Sequence, residues 1–145
     1  MKILLAKDAG YCFGVRDAVN LAYDKAKDYG EVYMLGTIVH NEKVVEGLSK
    51  AGTRVVDKLA EVRKDKPILF RAHGTAPKVW DKAKNKNLNI IDATCPLVTE
   101  IHDEIKKLEA EGRRTIIIGD HGHDEVVGIA AQVKDPIILA NVKEA

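Results

Sequence analysis

The sequence is poor in cysteine, with only Cys12 and Cys95 in 145 residues. So sparse a complement excludes a disulfide framework and leaves three roles for a thiol: buried apolar residue, metal ligand or reactive group. The chain also lacks a charge excess, with 23 basic against 22 acidic side chains. Its basic residues form no single run, so nothing points to nucleic acid or to an acidic membrane surface. No apolar run approaches the roughly 18–20 residues of a membrane span. The opening Met1-Lys2-Ile3-Leu4-Leu5-Ala6-Lys7 meets an acid at Asp8, short of the about 7–15 apolar residues of a signal peptide. It reads as a buried strand in a cytoplasmic protein. Low-complexity stretches and Ser/Gly linkers are missing too. So are a Walker phosphate loop, a Gly-x-Gly-x-x-Gly turn and a Gly-x-Ser-x-Gly elbow.

What is present is an alternation of short apolar runs with helical patterns, in a chain that is 46% hydrophobic. Strands are expected at 3–6, 32–35, 54–56, 67–70, 89–91, 115–118 and 136–139. The helices between them are expected at 15–27, from Asn41 past Leu48, at 77–85, from Pro96 to Gly112, and at about 125–132. In the long helix after Pro96, Val98, Ile101, Ile105 and Leu108 are expected inside and His102 outside. This alternation predicts an α/β fold with parallel sheets flanked by helices. A boundary falls near Asp92-Ala93-Thr94. Residues 9–92 then form a first α/β unit and 93–145 part of a second. Residues 1–8 form a strand belonging to the first sheet or to a later unit. Two strands bury the faces of a sheet poorly, so the chain is expected to be cut short.

Five segments follow predicted strands, where parallel sheets bind ligands. They are 9–16, 36–41, 71–75, 92–96 and 119–125. Cys95 stands before Pro96 at a helix start, where an anion is favoured and a thiol pKa falls. Cys12 lies between Gly10 and Gly14, which allow close backbone approach to a bulky ligand. The alternative is that both thiols are inert core residues, but their place on loops after strands favours function. His40, His73 and His123 occupy three of these loops and suit an anion pocket for phosphate. Zinc is the competing occupant, though no local ligand spacing supports it. Glu125, near a helix start, could relay protons or simply complement the helix dipole.

Taken in order, Ala9-Gly10-Tyr11-Cys12-Phe13-Gly14-Val15, Ile38-Val39-His40-Asn41, Ala72-His73-Gly74, Asp92-Ala93-Thr94-Cys95-Pro96 and Gly122-His123-Asp124-Glu125-Val126 resemble the 4-hydroxy-3-methylbut-2-enyl diphosphate reductase family, also called LytB/IspH. The resemblance spans essentially the whole chain. It implies an iron–sulfur enzyme of the methylerythritol phosphate route to isoprenoids. Such an enzyme reduces an allylic alcohol diphosphate to isopentenyl and dimethylallyl diphosphates with loss of water. It implies a 4Fe-4S cluster held by three cysteines, of which Cys12 and Cys95 match two. It also implies His40, His73 and His123 around the substrate diphosphate, Glu125 as the proton-delivering carboxylate, and reduced ferredoxin or flavodoxin as electron donor. Where the family usually has proline, this chain has Asp124. Family members run about twice as long, as three similar units, so the third cysteine and the later substrate contacts lie outside this sequence. The chain is therefore expected to be an inactive fragment of the reductase. The alternative is a stand-alone diphosphate- or metal-binding module.

Overall fold

The computed structural model describes residues 1–7 and 10–145. Helix α1 spans Phe13–Tyr29 and buries Gly14, Ala18, Val19, Ala22 and Ala26. Small side chains at this helical spacing let the helix lie close on a sheet. Gly30, at φ 70°, ends it by donating its N–H to the Ala26 carbonyl, a conformation that glycine adopts without a steric penalty. Strand β1 follows at Val32–Leu35. Helix α2, Glu42–Lys50, starts at Asn41, whose side chain accepts the Val44 N–H. Such a cap contributes about 1 kcal/mol. Then come β2 (Thr53–Val56), β3 (Ile68–Phe70), α3 (Pro77–Asn85) and β4 (Ile90–Asp92).

These four strands form one parallel sheet in the order β2-β1-β3-β4. Alternate residues point to opposite faces. Val32, Met34 and Leu69 pack with Ala18, Val19, Ala22 and Leu48. Tyr33, Ile68 and Phe70 pack on the other face with Trp80, Ala83 and Leu88. The Phe70 and Trp80 rings meet edge to face at 4.8 Å. Both faces are thus covered, which explains why β1 and β3 are near-continuous apolar runs rather than alternating ones.

Beyond the sheet, helix α4 spans Pro96–Ala110, followed by β5 (Ile116–Ile118), α5 (Asp124–Ala130) and β6 (Ile137–Leu139). Strands β5 and β6 form a separate two-stranded parallel sheet, Ile116 opposite Ile137 and Ile118 opposite Leu139. Neither strand belongs to the two apolar clusters, and Ile118 is 86% exposed. The expected α/β class with parallel sheets flanked by helices is what the chain adopts.

Three expectations are corrected. Residues 3–6 form no strand, and Ile3, Leu4 and Leu5 are exposed, Leu5 by 88%. An apolar run has strand propensity, but this one joins neither edge strand, β2 or β4, of the four-stranded sheet. His102 is only 7% exposed, whereas Ile101 is 41% exposed. The buried stripe of α4 runs through Val98 and His102, four residues apart and hence on one face, because that face lies against Gly74 in the loop after β3. Helix α1 starts at Phe13, two residues earlier than periodicity alone indicates, since its first turn carries little apolar pattern. Among the described residues no helix is long and apolar enough to cross a membrane.

Candidate functional site

The loops at the carboxyl ends of β1, β3, β4 and β5 carry the polar groups, and the fold brings three histidines together. The His40 ring lies 5.0 Å from that of His73 and 6.2 Å from that of His123, and His73 and His123 are 6.3 Å apart. His40 precedes the Asn41 cap of α2, and His123 is itself the N-cap of α5. The His123 Nδ1 accepts the Glu125 N–H at 3.2 Å. His73 is the most enclosed of the three. Its Nδ1 is buried with no hydrogen-bond partner among the described residues. Burial holds its pKa below the ordinary imidazole value, reinforced by the neighbouring His40 and Arg71. Neutral His73 therefore has one nitrogen free to act as donor or acceptor, according to the tautomer.

Glu125 is half-buried on the first turn of α5. Its charge acts on both His73 and His102. His102 lies under the histidine loop, where its ring would collide with any side chain placed on Gly74. Desolvation lowers its pKa, and Lys106 adds to the effect. Gly74, at φ 83°, is held by geometry as well as by space. From the other side, α5 presses Gly128 to the His73 carbonyl, 3.1 Å from where a Cβ would stand. His121 takes no part in the cluster; it pairs with Glu144 at 2.8 Å.

Two site residues escaped the reading of the sequence. The Arg71 Nη1 donates to the Asp124 Oδ2 at 2.7 Å. The same carboxylate oxygen lies 3.8 Å from the His40 Nε2. Arg71 fits against Gly36, where a side chain would clash with its guanidinium. The bond joins the end of β3 to the start of α5, and it is partly buried. A signal existed in the sequence: Arg71 is a charge directly after a fully apolar strand, in the same segment as His73.

The two thiols occupy matching positions. Cys12 is the N-cap of α1 and Cys95 the N-cap of α4, and neither side chain makes a capping bond. The preceding Thr94 bonds Asp92 through its N–H and hydroxyl. The Cys95 Sγ rests on Gly14, so closely that a Cβ there would overlap it. It therefore sits against the first turn of the helix that Cys12 caps. The Cys95 N–H donates to the Ala72 carbonyl at 3.0 Å, tying the thiol loop to the histidine loop through the neighbour of His73. Both thiols are free, with Cys12 exposed and Cys95 half-buried. Two unpaired thiols at two helix N-termini, with a glycine cradle between them, fit part of an iron–sulfur ligand set.

The family model described as LytB protein matches residues 3–145. The chain is 40% identical over 148 residues to 4-hydroxy-3-methylbut-2-enyl diphosphate reductase of Wolbachia pipientis subsp. Culex pipiens, covering 99% of this chain and 48% of that protein. It is 36% identical to the protein of the same name from Geobacter metallireducens, covering 99% of this chain and 51% of the relative. Among solved structures, the E-1-hydroxy-2-methyl-but-2-enyl-4-diphosphate reductase from Plasmodium falciparum superposes with a TM-score of 0.91 at 32% identity, over 95% of this chain and 44% of that one. A second, (E)-4-hydroxy-3-methyl-but-2-enyl diphosphate reductase, gives a TM-score of 0.84 at 32% identity, over 98% of this chain and 52% of its own. The chain thus spans about half the length of the curated relatives it matches. With a match running from Ile3 to the last residue and the cysteine and histidine loops in place, the chain belongs to the LytB protein family.

Proposed function

We propose that this chain supplies the first α/β unit and part of the second of a 4-hydroxy-3-methylbut-2-enyl diphosphate reductase. In that enzyme Cys12 and Cys95 are two thiolate ligands, and His40, His73 and His123 line the diphosphate end of the substrate. The observation that carries the reading is the seam at the ends of β3 and β4, where the Cys95 Sγ lies on Gly14 and the Cys95 N–H bonds the residue before His73. Thiolate and imidazole chemistry are thereby fixed side by side, as a substrate with a reducible allylic end and an anionic end requires.

A 4Fe-4S cluster, held through Cys12 and Cys95 and a third thiolate outside this chain, would supply the electrons. The chain's own residues do the rest. Imidazole N–H groups from three loops donate to diphosphate oxygens, with the Asn41-capped start of α2 beside His40. Glu125, half-buried beside His73, delivers a proton to the substrate, completing the uptake of two electrons and two protons that releases water. Arg71 holds Asp124 at the head of α5, and so fixes both Glu125 and the His123 cap. Reduced ferredoxin or flavodoxin fits as the electron donor of the whole enzyme, in a cytoplasmic setting.

Anaerobic reconstitution with iron and sulfide tests the reading. This chain alone should form a labile cluster or none, and no turnover. A stable cubane with full turnover in the isolated chain would overturn the missing-thiolate argument. In the longer protein, Cys95→Ser should abolish the brown absorbance and activity together. Gly14→Ala should weaken the cluster by displacing the Cys95 Sγ.

A further inference from the structure

The Asp124 carboxylate is the odd member of the histidine cluster, since a site for an anionic substrate has no evident need of an acid. It lies among two imidazoles. Ligand atoms of His40, His73 and Asp124 all fall within 4.8 Å of one another, and His40 Nε2 and Asp124 Oδ2 are 3.8 Å apart. Donors bound tetrahedrally at about 2.05 Å stand roughly 3.4 Å from each other. The group is therefore open by about 0.4 Å between His40 and Asp124 and by up to about 1.4 Å at its widest, relative to a loaded site. His40 is exposed.

Two further observations point the same way. The His73 Nδ1 is buried without a partner among the described residues, a state that a polar atom seldom keeps without a ligand or water. Asp124 is also held by Arg71, which donates to its Oδ2 at 2.7 Å, as carboxylate ligands of metals are held by outer hydrogen bonds. That oxygen is the one 3.8 Å from the His40 Nε2, so the ion and the guanidinium would share one carboxylate. His123 stands outside this set. Its Nδ1 is already engaged by the Glu125 N–H.

We propose that His40, His73 and Asp124 form a binding site for a divalent transition-metal ion of the zinc class. Two imidazoles and one carboxylate, with a coordination position left open, are a ligand set that zinc accepts. The ion bridges the first unit, which carries both histidines, to α5, which carries the acid. A nitrogen that binds the ion no longer donates to a phosphate oxygen, so metal and diphosphate compete at His40 and His73. The site rests on this geometry alone and does not depend on the reductase reading.

The test uses the 145-residue chain with Cys12→Ser and Cys95→Ser, which removes thiolate binding. Cobalt(II) is titrated by absorbance and then displaced with zinc(II). The expected result is one ion per chain, with d–d bands and no sulfur charge-transfer band, and a thermal midpoint that rises with zinc. Asp124→Asn and His40→Ala should each weaken binding by about tenfold or more, while His123→Ala should change it less than threefold. Circular dichroism checks that each variant is folded. Loss of binding on removing the cysteines alone overturns the proposal. So does equal weakening by His123→Ala, which would mark a diffuse histidine cluster. Failure of cluster assembly in the longer protein would leave this result untouched.

Discussion

In the four-stranded sheet, β1 and β3 are sealed on both faces, and Val32, Ile68, Leu69 and Phe70 are wholly buried. In the two-stranded sheet, β5 makes the same parallel ladder yet leaves Ile116 and Ile118 facing outward. A ladder of hydrogen bonds is therefore no guide to burial. The four-stranded sheet is ordered by its apolar faces. The segment with the two-stranded sheet, with little core of its own, is held by contacts to the loop after β3: His102 under Gly74, Gly128 against the His73 carbonyl, and Asp124 on Arg71. The same seam carries the candidate site, so contacts that build the site also hold α4 and α5 in place.

The largest expected effect separates the two sheets directly. Leu69→Ala should destabilise the chain by about 2–5 kcal/mol through the cavity it leaves. Ile118→Ala should stay within about 0.5 kcal/mol. Urea denaturation of the two variants measures the contrast, and equal costs would break it. Next comes Gly74→Ala, which combines an unfavourable positive φ with a clash on His102. A loss of about 1–3 kcal/mol is expected, with faster amide exchange concentrated in α5, β5 and β6. Uniform exchange over the whole chain would show that the seam does not organise α5, β5 and β6. Smaller still is the Arg71–Asp124 pair, whose side chains are about a quarter exposed. A double-mutant cycle with Arg71→Ala and Asp124→Ala should give a coupling of about 1 kcal/mol, and a coupling of zero would remove the pair from the seam.

The smallest effect is a pH dependence. His102 has a folded pKa below its unfolded value near 6.5 because burial disfavours its charge. The unfolded chain then binds more protons as the pH falls through that window. Stability should be complete above about pH 6.5 and decline below it. His102→Gln should flatten the slope of the urea midpoint between pH 7 and 5. An unchanged slope would assign the acid sensitivity to other groups.

Much of this was legible in the sequence. Gly30, Asn41 and Pro77 mark helix ends by local chemistry, and each does so in the structure. The apolar runs of β1 and β3 announced strands covered on both faces. Four of the five chemically rich loops were legible as strand ends, the segment before α1 being the exception, and three of them bring His40, His73 and His123 together. What escaped depended on tertiary neighbours. Residues 3–6 have a strand's composition without a partner strand. His102 looked like a surface residue because periodicity gives a helix face no identity until something packs on it. Asp124 read as a substitution for proline, since its partners Arg71 and His40 are 53 and 84 positions away.

The bond from the Cys95 N–H to the Ala72 carbonyl has a metrical consequence. It continues the pairing of β3 with β4 past the end of the strands, so the thiol and histidine loops are separated by one strand spacing, about 4.8 Å. The sheet acts as a caliper: Cys95 and His73 are held at a span that loop length does not set. Insertions elsewhere in either loop would leave it unchanged, whereas a one-residue slip between β3 and β4 would alter it at once.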